Sequence, residues 1–279
     1  SYPPEAIERV EVLPEESAQQ FGFPPNQRVI NFIMKDNFQS REVELEYGQP
    51  TAGGYSDREV ELTYLRLGED GRLNVNLEYN ERSALTEADR DILQTPSSVP
   101  TFAGDPDPAL YRTLIGQSRS FEATGNYTTA LGQTGSLSGN LTYERNEGLS
   151  LSGLDSVLLT DPDGNTALRT FNADDPLERR SSSDSLSGAL SANLRSNGWD
   201  INNTLDVNRT WSTSEIDRRA DGADLQAAAL AGSLALDGAL PPVVDPGFDT
   251  SRSNTWTIDG KSTFRGALAD LPAGELSTT

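Results

Sequence analysis

Side chains that pass protons, attack carbonyls or grip metals are scarce in this chain. It has no His and no Cys, so the commonest general base is missing, and so are imidazole and thiolate metal ligands. Gly135-Ser136-Leu137-Ser138-Gly139 has the outline of a nucleophile elbow. Its central residue is Leu137, however, and without His no Ser-His-Asp triad can be assembled within the chain. Asp161-Pro162-Asp163-Gly164-Asn165 gathers oxygen donors of the kind Ca²⁺ accepts, but it lacks the EF-hand spacing and the distal Glu, so it reads as a loop turn. Asn126-Tyr127-Thr128 and Asn140-Leu141-Thr142 match the glycosylation pattern. Both fall inside predicted strands and read instead as polar residues facing a hydrated space. No catalytic residue, metal site or cofactor is expected, and the chain does not read as an enzyme.

Charge narrows the partners. Asp and Glu number 43 against 22 Lys and Arg, a formal charge of −21, and the only lysines are Lys35 and Lys261. Nucleic acid and anionic headgroups both reward clustered cations, so the average charge argues against them, and no nucleic-acid partner is expected. Hydrophobic residues make up 35% of the 279, lean for a globular core. No apolar run approaches the roughly 20 residues of a membrane helix. The chain opens on Ser rather than Met and is read as a processed or truncated piece.

What positions the polar residues is a repeated alternation. In Arg72 to Tyr79, Leu73, Val75, Leu77 and Tyr79 take one face and Asn74, Asn76 and Glu78 the other, the period of a strand with one greasy and one wet side. The same pattern runs through Gln39 to Gly48, Glu59 to Tyr64, Phe121 to Tyr127, Leu137 to Tyr143, Leu186 to Leu194, Trp199 to Val207 and Trp256 to Phe264. Tight turns are expected at Gly68 to Gly71, Ala130 to Thr134, Ser196-Asn197-Gly198 and Leu271 to Gly274. Long polar connections are expected at about 81–117, 145–183 and 212–253. Thr86-Glu87-Ala88-Asp89 has the form of a capped helix start, and Ala223 to Leu240 is a helix candidate that could equally be strand. About eight strands joined alternately by short and long connections, with every long one on the same side, fit a membrane barrel; a soluble sandwich has no reason to sort its loops this way.

The first 38 residues differ. Ile7-Glu8-Arg9-Val10-Glu11-Val12-Leu13 and Val29-Ile30-Asn31-Phe32-Ile33-Met34-Lys35 read as strands, with a short helical turn at Pro14 to Gln20, Phe21-Gly22 and a Pro24-Pro25-Asn26 loop between them. This arrangement resembles the end of the plug domain of TonB-dependent outer-membrane receptors, in which an I-E-R-V-E-V-L strand and a G-G-V-I-N-I-x-T-K strand lead into the barrel. Pro14-Glu15-Glu16 stands where that family has R-G-P, Gln27-Arg28 where it has two glycines, and Met34 where it has Thr.

The resemblance implies a mainly β chain: residues 1–38 as the C-terminal part of a small α/β plug, and 39–279 as the N-terminal part of an antiparallel transmembrane β-barrel. It further implies a Gram-negative outer-membrane location, uptake of a small nutrient such as a siderophore, vitamin or saccharide, and energy from the TonB complex through a segment this chain lacks. Tyr47, Tyr79, Tyr143 and Trp211 would then form the outer aromatic girdle and Tyr64, Tyr127 and Trp199 the inner one, against outer-membrane lipid. Glu8, Arg9 and Arg28 are expected to pair with barrel carboxylates such as Glu42, Glu44, Glu46, Glu59 and Glu61. A small complete eight-stranded barrel and a secreted β-solenoid adhesin are the alternatives.

Overall fold

An isolated strand leaves both its hydrogen-bonding edges open, so a chain with this much alternation must pair its strands with one another. The computed structural model describes residues 4–13, 29–92, 99–271 and 274–278. In chain order the elements are β1 (Ile7–Val12), β2 (Ile30–Met34), β3 (Phe38–Gly48), β4 (Asp57–Gly68), β5 (Gly71–Arg82), β6 (Leu85–Thr86), β7 (Thr113–Ile115), β8 (Gln117–Leu131), β9 (Gly135–Leu151), β10 (Asp155–Thr160), β11 (Thr166–Phe171), β12 (Glu178–Ser196), β13 (Trp199–Asp217), α1 (Ala223–Leu230), β14 (Phe248–Leu271) and β15 (Gly274–Thr278). One antiparallel sheet runs β15-β14-β13-β12-β9-β8-β5-β4-β3, while β1-β2, β6-β7 and β10-β11 are separate pairs. The large sheet is not closed: among the described residues β3 and β15 have no mutual pairing. Among the described residues no helix is long and apolar enough to cross a membrane.

The short connections β4-β5, β8-β9, β12-β13 and β14-β15 share one edge of the sheet, and the connections β3-β4, β5-β8, β9-β12 and β13-β14 share the opposite edge. Asn197 and Gly198 both take positive φ, 54° and 79°, the backbone that an Asn-Gly hairpin turn needs. Gly71 closes the β4-β5 turn at φ 133°, where an added Cβ would collide with the Thr128 carbonyl.

The strands are longer towards the loop edge than the alternation alone indicates. β9 continues to Leu151, β12 starts at Glu178, β13 reaches Asp217 and β14 starts at Phe248, so the expected loops at 145–183 and 212–253 are shorter and the first contains a hairpin, β10-β11. Leu149, Leu151, Val157 and Leu159 are the apolar alternation in the sequence that allows strands to extend into the first loop, and they lie in β9 and β10. The other extensions are largely polar on both faces, where alternation gives little signal. The helix expected over Ala223 to Leu240 ends at Leu230; Gly232 at φ 75° follows it. The capped start at Thr86 is present, with the Thr86 amide and hydroxyl donating to Asp89 at 2.8 and 2.7 Å. It opens a single 3-10 turn, Ala88–Arg90, which Asp91 ends in the left-handed region. The helical turn and loop expected between Pro14 and Arg28 lie outside the described residues.

Two apolar clusters frame the sheet. At the loop edge Val157, Leu159 and Phe171 pack with Leu225 and Ala229 of α1. At the turn edge Ala6, Leu65 and Leu67 are buried together, with Met34 and Phe38 against them.

Candidate functional site

Alternation fixes which residues of one strand share a face, and only register fixes whether neighbouring strands agree. Here they do. Val43 pairs with Leu62, Leu62 with Leu77, Leu77 with Ala123, Ala123 with Tyr143, Tyr143 with Leu186, Leu186 with Arg209 and Arg209 with Trp256. The apolar residues of all eight long strands therefore lie on one face. Between its edges that face carries no charge; Asn203 and Ser262 are its polar members. The belt crosses the hydrogen-bond rows obliquely: this row meets the apolar stretch of β3 at its turn-side end, Val43 next to Arg41, and reaches the charged loop-side border at Arg209 on β13. Such a slant is what strands tilted to a common axis produce. Much of the belt is uncovered, with Val43 67%, Leu45 72% and Trp256 67% exposed.

Every aromatic residue expected to form a girdle sits on this face. Tyr47, Tyr79, Tyr143 and Trp211 lie towards the loop edge and Tyr64, Tyr127 and Trp199 towards the turn edge. Their polar tips are bonded locally: Tyr127 donates to the Asp70 carbonyl at 3.0 Å, Tyr143 to Asp184 at 2.6 Å and Tyr47 to Gln49 at 3.2 Å. Trp199 is pressed against Gly266, where any Cβ would strike the indole.

The opposite face is polar and carries a feature that alternation could not show. Glu44 pairs with Glu61, Glu61 with Glu78, Glu78 with Glu122 and Glu122 with Glu144, so five glutamates stand in one row across five strands. Like charges directly opposite one another destabilise a sheet. The row is held by donors beside it: Asn76 to Glu61 at 2.5 Å, Asn80 to Glu78 at 2.6 Å, Thr124 to Glu122 at 2.9 Å and Asn146 to Glu144 at 2.6 Å. Among the described residues no cluster of carboxylates has a geometry that could hold a metal ion.

β1 and β2 pair antiparallel, Ile7 with Met34 and Val10 with Phe32, so the two motif strands meet; Leu13 donates to Val29 at 2.9 Å and Lys35 to Ala6 at 2.9 Å. Glu11 faces Asn31, and Val12 faces Ile30. Leu65, Leu67 and Phe38, against which Ala6 and Met34 at the base of this hairpin pack, belong to the polar face: Phe38 pairs with Leu67 two steps below the Ser40–Leu65 pair and in line with Glu42. Val10, Val12, Ile30 and Phe32 of the hairpin stay exposed. Arg9 pairs along its own strand, with Glu11 at 2.8 Å and Glu8 at 3.1 Å. The carboxylates expected to meet it, Glu42, Glu44, Glu46, Glu59 and Glu61, are not among its described partners. A short-range acid on the same face reaches Arg9 at less entropic cost than one on a distant strand. Arg28 lies outside the described residues.

At the loop edge a pocket of about 250 Å³ is lined by Asp155, Asp175, Glu178, Asp217 and Asp245, with Arg180 and Arg218. Burial, and then the charges of Asp245, Asp217, Glu178 and Asp155, push the Asp175 carboxyl above its ordinary range. Asp161 is the reverse: the Asn165 side chain, at 2.8 Å, holds its carboxyl below the usual range. Asp161 is thus tied up in its own turn, as its sequence context suggested.

Sequence reasoning missed the glutamate row, the loop-edge cluster and a line of arginines bordering the belt. The Arg-x-Trp at 209–211 was the one local signal for the last of these. Set beside known proteins, the chain matches no family model, no curated protein and no solved structure.

Proposed function

We propose that the chain is part of a TonB-dependent outer-membrane receptor, comprising the end of the plug and the first eight barrel strands, and that it serves uptake of a small nutrient. One observation carries this reading: a charge-free apolar face bordered by aromatics backs onto a polar face, and the base of the N-terminal hairpin, at Ala6 and Met34, meets the polar face at the turn edge. A plug belongs on the hydrated side of a barrel wall, and a lipid-facing belt needs closure or further strands to satisfy its edges. The sorted loops, the slanted belt and the pairing of the two motif strands support the same reading. Against a small closed eight-stranded barrel stands the absence, among the described residues, of β3-β14 pairing. Against a solenoid of constant rungs stand strands that lengthen from 11 residues in β3 to 24 in β14.

The chain has no cysteine, so a single introduced thiol reports its own surroundings. Val75→Cys, Leu141→Cys and Leu190→Cys, reconstituted in zwitterionic vesicles and labelled with a fluorophore, should be quenched by lipid-borne nitroxides. Asn76→Cys, Asn140→Cys and Ser191→Cys should respond to water-soluble quenchers instead. Equal response of the two sets to either quencher would end the membrane reading.

A further inference from the structure

The apolar face is not smooth. A groove of about 510 Å³ runs across β8, β9, β12 and β13, floored by Gly125, Gly139 and Gly188 and walled by Leu73 on one side and Leu205 and Val207 on the other. Two residues beyond Val207 on the same strand and face, about 7 Å along it, stands Arg209, at the loop-side end of the groove. Its guanidinium lies 5.2 Å from the Trp211 ring centre, and Trp256 is its cross-strand partner.

Arg209 belongs to a border of charge. The first outward position above the belt is Arg58 on β4, Arg119 on β8, Arg145 on β9 and Arg209 on β13. Arg119 is neutralised by Glu81 at 3.0 Å, and Arg145 by Glu147 at 2.6 Å and Asp184 at 3.4 Å. Among the described residues no carboxylate lies within ion-pair distance of Arg209. Arg58 is likewise without one among the described residues, but of the two only Arg209 adjoins the groove, beyond Val207. In a chain of charge −21 such a cation is a local feature that the average conceals.

We propose that this groove and Arg209 together form a site for one anionic membrane lipid, its acyl chain along the glycines and its headgroup phosphate on Arg209. The proposal rests on the membrane reading above. The glycines supply the concavity, and Leu205 and Val207 supply apolar contact. The guanidinium meets two phosphate oxygens in its own plane while Trp211 stacks on its face, a geometry an ammonium cannot reproduce. Trp256, with an apolar body and a polar N–H, suits the depth at which headgroup and chain meet.

The test reconstitutes the chain in lipid discs of phosphatidylcholine doped with phosphatidylglycerol and counts lipids retained after release by native mass spectrometry. Wild type should retain phosphatidylglycerol over phosphatidylcholine. Arg209→Gln should weaken that retention about tenfold or more, as expected when a charge-assisted pair of hydrogen bonds is replaced by a neutral contact. Gly188→Leu, which fills the groove and leaves Arg209 in place, should weaken it too, and Arg72→Gln on the polar face should change nothing. Quenching of the Val75→Cys label by nitroxide lipids in the same discs separates the two ideas. If the label is unquenched, the membrane reading falls and the site with it. If the label is quenched but Arg209→Gln retains phosphatidylglycerol like wild type, the site alone is overturned. Release of the lipid by equimolar inorganic phosphate would also overturn it, because the site would then recognise a free anion.

Discussion

Arg169 and Asp105, 64 positions apart, form a fork: Nε donates to Oδ2 at 2.9 Å and Nη2 to Oδ1 at 2.8 Å, with the Arg169 side chain 4% and that of Asp105 10% exposed. The guanidinium also donates to the carbonyls of Leu236 and Gly238 at 2.8 and 2.9 Å and lies 4.5 Å from the centre of the Phe102 ring. Asp105, Arg169 and Leu236 come from three different loop-edge connections. One buried cation therefore ties the three loops into a single unit above the α1 cluster.

Removing one half of that pair strands the other. Arg169→Met should cost the loop unit about 3–5 kcal/mol, whereas Arg169→Met with Asp105→Leu should recover part of that loss, because no buried charge remains although the Leu236 and Gly238 carbonyls and the Thr170 amide lose their partners. Limited proteolysis of 99–112 and 231–247 checks this. Cleavage rising in the single variant and falling back towards the wild-type rate in the double is the expected pattern.

The faces of β5 make the second prediction. Val75→Arg puts a charge at the centre of the apolar belt and should destabilise the inserted protein by about 2–4 kcal/mol. Asn76→Arg should be mild, since residue 76 faces Glu61 and the new guanidinium can replace the amide that now donates to it at 2.5 Å. Urea unfolding in vesicles measures both. Equal costs would mean that the faces are wrongly assigned.

The glutamate row gives a prediction of opposite sign. Glu78 stands between Glu61 and Glu122, and Glu78→Gln keeps an oxygen for Asn80 while removing one of the row's charges. It should stabilise the sheet by about 0.2–1 kcal/mol, with the gain shrinking as salt is added. A salt-independent loss of stability would show that the row is not strained by repulsion.

Asp175 sets a local pH dependence. Its carboxyl is raised by burial and by Asp245, Asp217, Glu178 and Asp155, so the folded pocket binds a proton more readily than the unfolded chain does. Its contribution to stability is therefore largest in acid and is lost as pH rises through the raised value. Hydrogen exchange at 172–178, corrected for intrinsic rate, should slow on acidification. Asp175→Asn should give protection at neutral pH and flatten that response. Asp89 has the opposite sign: the Thr86 amide and hydroxyl lower its carboxyl, so protection of its turn should fall in acid.

The sequence by itself determined the central parts of the eight long strands, their two faces, the short turns and the sorting of loops, because all of these rest on period two and on Gly, Asn and Pro chemistry within a few residues. It did not fix how far the strands reach into the loop edge. Leu73 to Tyr79 alternates whatever its neighbours do, and Asn197-Gly198 turns for the same local reason. Only tertiary structure decided which side chains meet across strands. A slip of one residue between β4 and β5 would leave the pattern of each strand untouched and yet break the row from Glu44 to Glu144. The groove beside Arg209 depends on glycines of three strands brought together by register, Gly125 and Gly188 level across Leu141 and Gly139 one step along, and the Arg169–Asp105 fork on loops that carry no periodicity. Neither has a local signal, since sequence distance says nothing about which long-range pairs repay their closure entropy.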